Sequence, residues 1–218
     1  MLHTRESTEV GSRMQSSAVA QASDVYFSAD VETDGPIPGP FSMLSFALVL
    51  AGTFDGRAFS RATQAAHFYK ELKPISDEFE EEALAVNRLD RNRLIVQGAS
   101  PAEAMSEAAR WVRQVAGNGT PVLVAYPLAF DWTWLYWYFV RFSESGSPFN
   151  HSRCYDLKTA FAVKGGRLVS RAGRDELPEE LRSSVAHTHH ALEDAQEQAD
   201  IFAKIFEWGG DEHRRVSG

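Results

Sequence analysis

Cysteine is almost missing from this chain: its 218 residues include one, Cys154. A lone cysteine excludes an intrachain disulfide and a zinc cluster built on thiolates, so its expected role is a small buried apolar group, with a reactive thiol as the alternative. Long apolar runs are missing too. No stretch approaches the ~20 residues that a membrane helix needs, and the longest, around Trp132 to Val140, is short and rich in aromatics. The first residues show no basic start followed by an apolar block, so no secretory signal is expected and a cytoplasmic location is. Positive charge is also scarce: 22 Lys and Arg against 30 Asp and Glu leave a net charge of −8. That balance argues against a broad basic surface holding long nucleic acid, though not against an enzyme that grips only a strand end. What is present is ordinary for one globular domain, with 44% hydrophobic and 24% charged residues.

Residues 1–23 hold few large aliphatics among Ser, Thr, Gln and Glu, and they read as a polar tail, as do 209–218. The folded unit is expected over 24–208. Val25, Phe27, Ala29 and Val31 alternate with Tyr26, Ser28, Asp30 and Glu32, which predicts a strand carrying both carboxylates on one face. Three prolines and two glycines between Asp34 and Pro40 end it in a stiff loop. Ser42 to Leu50 reads as a strand buried on both faces, Gly52 and Gly56 bracket a turn, and Arg57 to Leu72 continues a meander. Glu78 to Asn87 has helical character with an acidic, solvated face. Ser100, Pro101 and Glu103 predict a helix start with a capping box, and Gly117 its end. Pro121 to Ala125 is a short apolar strand, Phe130 to Phe142 an aromatic helix, Cys154 to Ala162 a strand running into a helix, and His189 onward the last helix. This order points to an α/β domain with a mixed sheet flanked by helices, whose ligands gather at the carboxyl ends of parallel strands.

Asp30 and Glu32 sit at such an end. Two carboxylates a few ångströms apart repel each other and lose solvation, so something cationic must neutralise them, and a divalent metal is the simplest candidate. Asp131 opens the aromatic helix just after the apolar strand, and Asp194 lies early in the last helix behind His187, His189 and His190. Among the aromatics, core packing is the expected fate of most, with Trp132 and Trp134 as candidate stacking surfaces for bases. Between Leu157 and Arg174 the chain carries Lys158, Lys164, Arg167, Arg171 and Arg174 without an acid, a basic segment able to contact phosphates or merely to be solvated.

Three motifs in this order resemble the DEDDh family of 3'-5' exonucleases: Asp30-Val31-Glu32-Thr33, Phe130-Asp131, and His189-His190-Ala191-Leu192-Glu193-Asp194-Ala195. The resemblance implies an RNase H-like fold and two divalent ions, Mg2+ or Mn2+, held by Asp30, Glu32, Asp131 and Asp194, with His189 as the general base. It implies hydrolysis of single-stranded RNA or DNA 3' ends to nucleoside 5'-monophosphates, and, by analogy, a homodimer. Helix spacing alone favours His190, four residues before Asp194, whereas family register favours His189. Thr33, Tyr126, Trp132, Trp134, Lys164 and Arg167 are the expected nucleic-acid contacts. The chain departs from the family at Ala125-Tyr126-Pro127, where many members carry G-H-N, and in the long loop after Thr33. In that loop Ile37, Phe41, Met43 and Leu44 are candidates for an apolar wedge against the terminal base. Two other readings stay open: a non-catalytic nucleic-acid-binding module of the same fold, and an RNase H-type endonuclease.

Overall fold

A computed structural model describes residues 22–63 and 66–210. The two expected polar tails lie almost wholly outside that range. The strands are β1 (Asp24–Thr33), β2 (Met43–Phe54), β3 (Phe59–Arg61), β4 (His67–Glu71), β5 (Thr120–Ala125) and β6 (Cys154–Asp156). The helices are α1 (Glu81–Asn87), α2 (Arg91–Gln97), α3 (Pro101–Ala116), α4 (Leu128–Phe142), α5 (Leu157–Lys164) and α6 (Ala191–Glu207). Between α5 and α6 the chain forms only single 3-10 turns, one of them Arg174–Glu176.

The strands build one mixed sheet in the order β3-β2-β1-β5-β6, with β4 also paired to β2. β1 runs antiparallel to β2 and parallel to β5, which pairs in turn with β6 in parallel. The alternation along β1 sorts its side chains into two layers. Val25, Phe27, Ala29 and Val31 enter the core against α3 and α4, while Tyr26 packs with α5 and α6 on the opposite face. Ser28, Asp30 and Glu32 share the parity of Tyr26, so both acids face the layer of α6. β5 pairs only with Asp24 to Ser28, leaving the last half of β1 free on that side.

Several local expectations are corrected. Gly52 lies within β2, paired to Arg61, and the turn comes after Phe54. Ser100 occupies the N-cap of α3 without a side-chain hydrogen bond, so the capping box does not form; the proline at the first position and the apolar stripe suffice. α2 was not anticipated. Asp90 caps it by accepting the Arg93 N–H at 3.0 Å. Cys154 is half-exposed, not buried.

The proline-rich loop after Thr33 is anchored from within. Asp34, fully buried, accepts the Ser42 N–H at 2.5 Å and pairs with Arg91 Nε at 2.9 Å. Lys164 does structural work of another kind: its Nζ donates to the carbonyls of Ile205, Phe206 and Trp208 at 2.7, 2.7 and 2.9 Å. Carbonyls at a helix C-terminus lack intrahelical donors, and an ammonium there also meets the negative end of the dipole. Lys164→Met is therefore expected to lower stability by about 1–2 kcal/mol, as denaturant melts can check.

Candidate active site

Three elements bring the acids together. β1 carries Asp30 and Glu32 on its α6 face, and α6 places Asp194 one turn from its start, so carboxylate oxygens of Asp30, Glu32 and Asp194 all lie within 4.8 Å of one another. Asp131 arrives from the other side of the strand. Because β5 has ended, the Val31 N–H is free of β5, and Asp131 Oδ1 accepts it at 3.1 Å. α4 is aimed there by Asp156, which accepts the Leu128 N–H at 2.7 Å and caps α5 through Thr159 N at 2.6 Å. Asp194 is held by two backbone donors of the preceding loop, Thr188 N at 2.8 Å and His189 N at 2.9 Å. Gln198 Nε2 donates to Asp30 Oδ1 at 2.9 Å from the same helix.

These acids line an open cleft of about 870 Å³ with Val31, Phe130, Arg174, His187 and His189. Burial, joined at Asp30 and Glu32 by repulsion from neighbouring carboxylates, makes Asp30, Glu32 and Asp131 reluctant anions. Asp30 is pushed well above the carboxylate range by burial first and then by Asp131, Glu32 and Asp194. Burial, with Asp194 and Asp131, pushes Glu32 up to about 8. Burial also lifts Asp131 to about 7, against the opposing pull of its backbone hydrogen bonds. Oxygen-only donors so close together, with Asp30 and Glu32 raised by their neighbours, fit a divalent cation that neutralises them together.

The histidines diverge. His189 is exposed at the cleft, with φ at 59°, and its ring lies 4.7 Å from that of His187. His190 turns to the other side and stacks on Tyr69 at 5.0 Å, and it is not among the cleft-lining residues. His187 also lines the cleft: its Nδ1 lies 3.1 Å from Asp194 Oδ2, 3.2 Å from Glu197 Oε2 and 2.5 Å from Arg174 Nη1.

The expected nucleic-acid contacts scatter. Trp134 is fully buried and packs at 6.2 Å from Tyr138, so it is a core residue. Trp132 stacks on Tyr136 at 5.2 Å and sits against the core rather than in the cleft. Tyr126 lines the cleft, but its hydroxyl is committed to the Ala172 carbonyl at 2.8 Å. Arg167 lies over the Phe161 ring, bordering a separate surface hollow with Arg171 and Glu176. Lys164 is the helix cap already described. Thr33 borders a groove of about 390 Å³ that adjoins the cleft at Val31, Glu32 and Phe130. The wedge candidates miss this groove: Met43 and Leu44 are fully buried, and neither Ile37 nor Phe41 lines it. Its apolar lining comes from Pro36, Ala83, Val86 and Phe130, so α1, expected to be merely a solvated face, borders the site. Phe130 was visible only as the neighbour of Asp131. Arg174 was one of five cations in its segment, with nothing in the sequence to separate it from the others.

No family model matches the chain. The 3'-5' DNA exonuclease Cap18 of Escherichia coli is 31% identical over 183 residues, covering 84% of this chain and 91% of Cap18. The chain belongs to the DEDDh family of 3'-5' exonucleases. Solved structures agree on the fold. The DEDDh nuclease domain of 3'hExo, bound to rAMP, superposes with a TM-score of 0.62 at 9% identity, over 87% of this chain and 94% of that one. Cell-death related nuclease 4 gives 0.59 at 14% identity, over 84% and 63%. E. coli exonuclease I in complex with a dA16 oligonucleotide gives 0.55 at 18% identity, over 86% and 41%. The mixed sheet is thus the RNase H-like sheet of the DEDDh exonucleases, and this one is a nuclease, a hydrolase of phosphodiesters. DEDDh exonucleases depend on metal, and the cluster of Asp30, Glu32 and Asp194 could hold a metal ion.

Proposed function

We propose that this DEDDh exonuclease removes nucleotides from single-stranded DNA 3' ends, with residues 24–208 as the catalytic unit. The observation that carries the reading is the convergence of Asp30, Glu32 and Asp194 within 4.8 Å at the floor of an open cleft. The choice of DNA is supported by the likeness to a DNA exonuclease.

Asp30, Glu32, Asp131 and Asp194 would hold two divalent ions, magnesium or manganese. When bound, such ions offset the carboxylate charge and the charge that develops on the phosphate, and they acidify water. Asp131 spends one oxygen on Val31 N–H and keeps the other for a ligand. The His189 imidazole, exposed at the cleft, takes the proton of the attacking water, the general-base role that histidine most often fills. Water attacks the terminal phosphorus, the bond from phosphorus to the 3' oxygen of the penultimate sugar breaks, and a nucleoside 5'-monophosphate leaves. The terminal nucleoside lies in the groove beside Thr33, its base against Phe130, which is 43% exposed. Stacking on an aromatic face tolerates any base and is worth about 1–3 kcal/mol. Phe130→Ala is expected to raise KM about tenfold with kcat little changed, since roughly 1.4 kcal/mol is tenfold.

The test is a 5'-labelled oligonucleotide, DNA and RNA, single and double stranded, with magnesium or chelator. Stepwise shortening of single-stranded DNA from its 3' end only with metal is expected. Internal cuts would point to an endonuclease, and no cleavage to a binding module.

A further inference from the structure

The cleft is walled by acids and must admit a polyanion, so the cations that line it matter. Among the described residues these are Arg174 and Arg182. Arg182 is occupied by its own loop, donating to the carbonyls of Leu177 at 2.7 Å and Asp175 at 3.2 Å. Arg174 is placed differently. It sits in a segment without regular structure beyond single turns, where a long side chain has no scaffold of its own. α6 supplies one: Glu197, with only 9% of its side chain exposed, meets Arg174 Nη1 at 2.7 Å, and the Tyr126 carbonyl accepts from Nη2 at 3.2 Å. Burying a glutamate is costly unless it is paired. Glu197 lies one turn beyond Asp194, and its carboxylate holds the Arg174 guanidinium at the cleft.

We infer that Arg174 is a phosphate-binding residue: braced by Glu197, its guanidinium receives a backbone phosphate of the single strand on the 5' side of the linkage being cut. The contacts to Glu197, Tyr126 and His187 engage Nη1 and Nη2. A guanidinium carries five N–H donors in a planar fork matched to phosphate oxygens, so donors remain for a phosphate. Its position also fits. Arg174 lines the cleft with Tyr126 and Pro127 and does not line the groove assigned to the terminal nucleoside, which shares Val31, Glu32 and Phe130 with the cleft. A strand whose 3' nucleoside fills that groove and whose last linkage lies over the carboxylates passes its next phosphates toward Arg174.

This inference rests on the reading of the cleft as the site of 3'-end hydrolysis, and the experiment separates the two. The probes are single-stranded DNA 12-mers, each with one neutral methylphosphonate at the second, third or fourth linkage from the 3' end. With unmodified DNA, Arg174→Gln is expected to raise KM about tenfold, the loss of one charge-assisted contact, with kcat changed far less. One methylphosphonate position should raise the wild-type KM by a similar factor and add nothing in Arg174→Gln. Because Arg174→Gln strands the buried Glu197, the double variant Arg174→Gln/Glu197→Gln is measured beside it; a fold rescued in the double variant with the raised KM retained supports the inference. Penalties that multiply at every linkage in both variants would show that Arg174 only braces the fold, and would overturn the inference while leaving 3'-end hydrolysis intact. Failure of the wild type to shorten any strand would bring down both.

Discussion

Asp30→Asn is expected to abolish exonuclease activity, by at least about a thousandfold or roughly 4 kcal/mol of barrier, and at the same time to raise the melting temperature of the metal-free protein at pH 8. The two effects share one cause. Asp30 stands where three other carboxylates raise its proton affinity, and an amide keeps its shape and its contact with Gln198 without the charge. Repulsion disappears together with the ligand. The pH dependence follows from the same shifts. Glu32 titrates at about 8 in the folded protein against an ordinary 4.5, and Asp131 at about 7 against 3.8. The folded state therefore holds protons that the unfolded chain has released, so these groups stabilise the metal-free fold fully below pH ~4 and lose that contribution as pH rises toward ~8. In chelator, wild-type stability should fall over that window. Asp30→Asn should flatten the fall. Divalent metal should reverse it, stabilising the wild type most at high pH, where all four acids are ionised. A wild-type melting temperature in chelator that climbs from pH 5 to pH 8 would contradict the account, as would an Asp30→Asn protein that remains active.

The acids were legible in the sequence because each obeys a local rule. A period of two puts Asp30 and Glu32 on one face, and β1 does carry them so. Asp131 and Asp194 were legible from motif spacing, and the structure brings Asp194 to the pair through α6. What could not be read depends on contacts distant in sequence. Lys164 was one cation among several until the end of α6, about forty residues later, supplied its three carbonyls. Trp134 and Trp132 differ by two positions, half a helical turn, and only the packing of α4 against the sheet decides which is buried fully. The Arg174–Glu197 pair joins an irregular loop to a helix, and no periodicity marks such a pairing. Phe130 was masked by its neighbour: the motif drew attention to Asp131, while α1 and the loop after Thr33 made its exposed ring one wall of a groove.

Replacement of His189 should separate the histidines as clearly as Asp30→Asn separates charge from shape. Its backbone lies in the left-handed region, at φ 59°, which a histidine adopts at some cost and a glycine freely. The conformation has a geometric consequence: the His189 N–H reaches Asp194 Oδ2 while the ring stays exposed at the cleft, and the following residue turns the opposite way, with His190 against Tyr69. A single backbone setting thus puts the ring of His189, and not that of His190, at the cleft. His189→Gly keeps that setting and the N–H to Asp194 but removes the base, so kcat should fall about a hundredfold to ten-thousandfold, the usual worth of general-base catalysis. KM and the melting temperature should change little, and free imidazole in the assay should restore part of the rate. His190→Ala should retain most activity and lose a little stability through the missing stack on Tyr69. His187→Ala is the informative control, since that ring also lines the cleft and lies beside Asp194 and Glu197. If it positions Asp194 and Arg174, its loss should raise KM more than it lowers kcat, and imidazole should not rescue it. Rescue of His187→Ala with none for His189→Gly would move the base two residues upstream, to the histidine that shares Arg174 and Glu197.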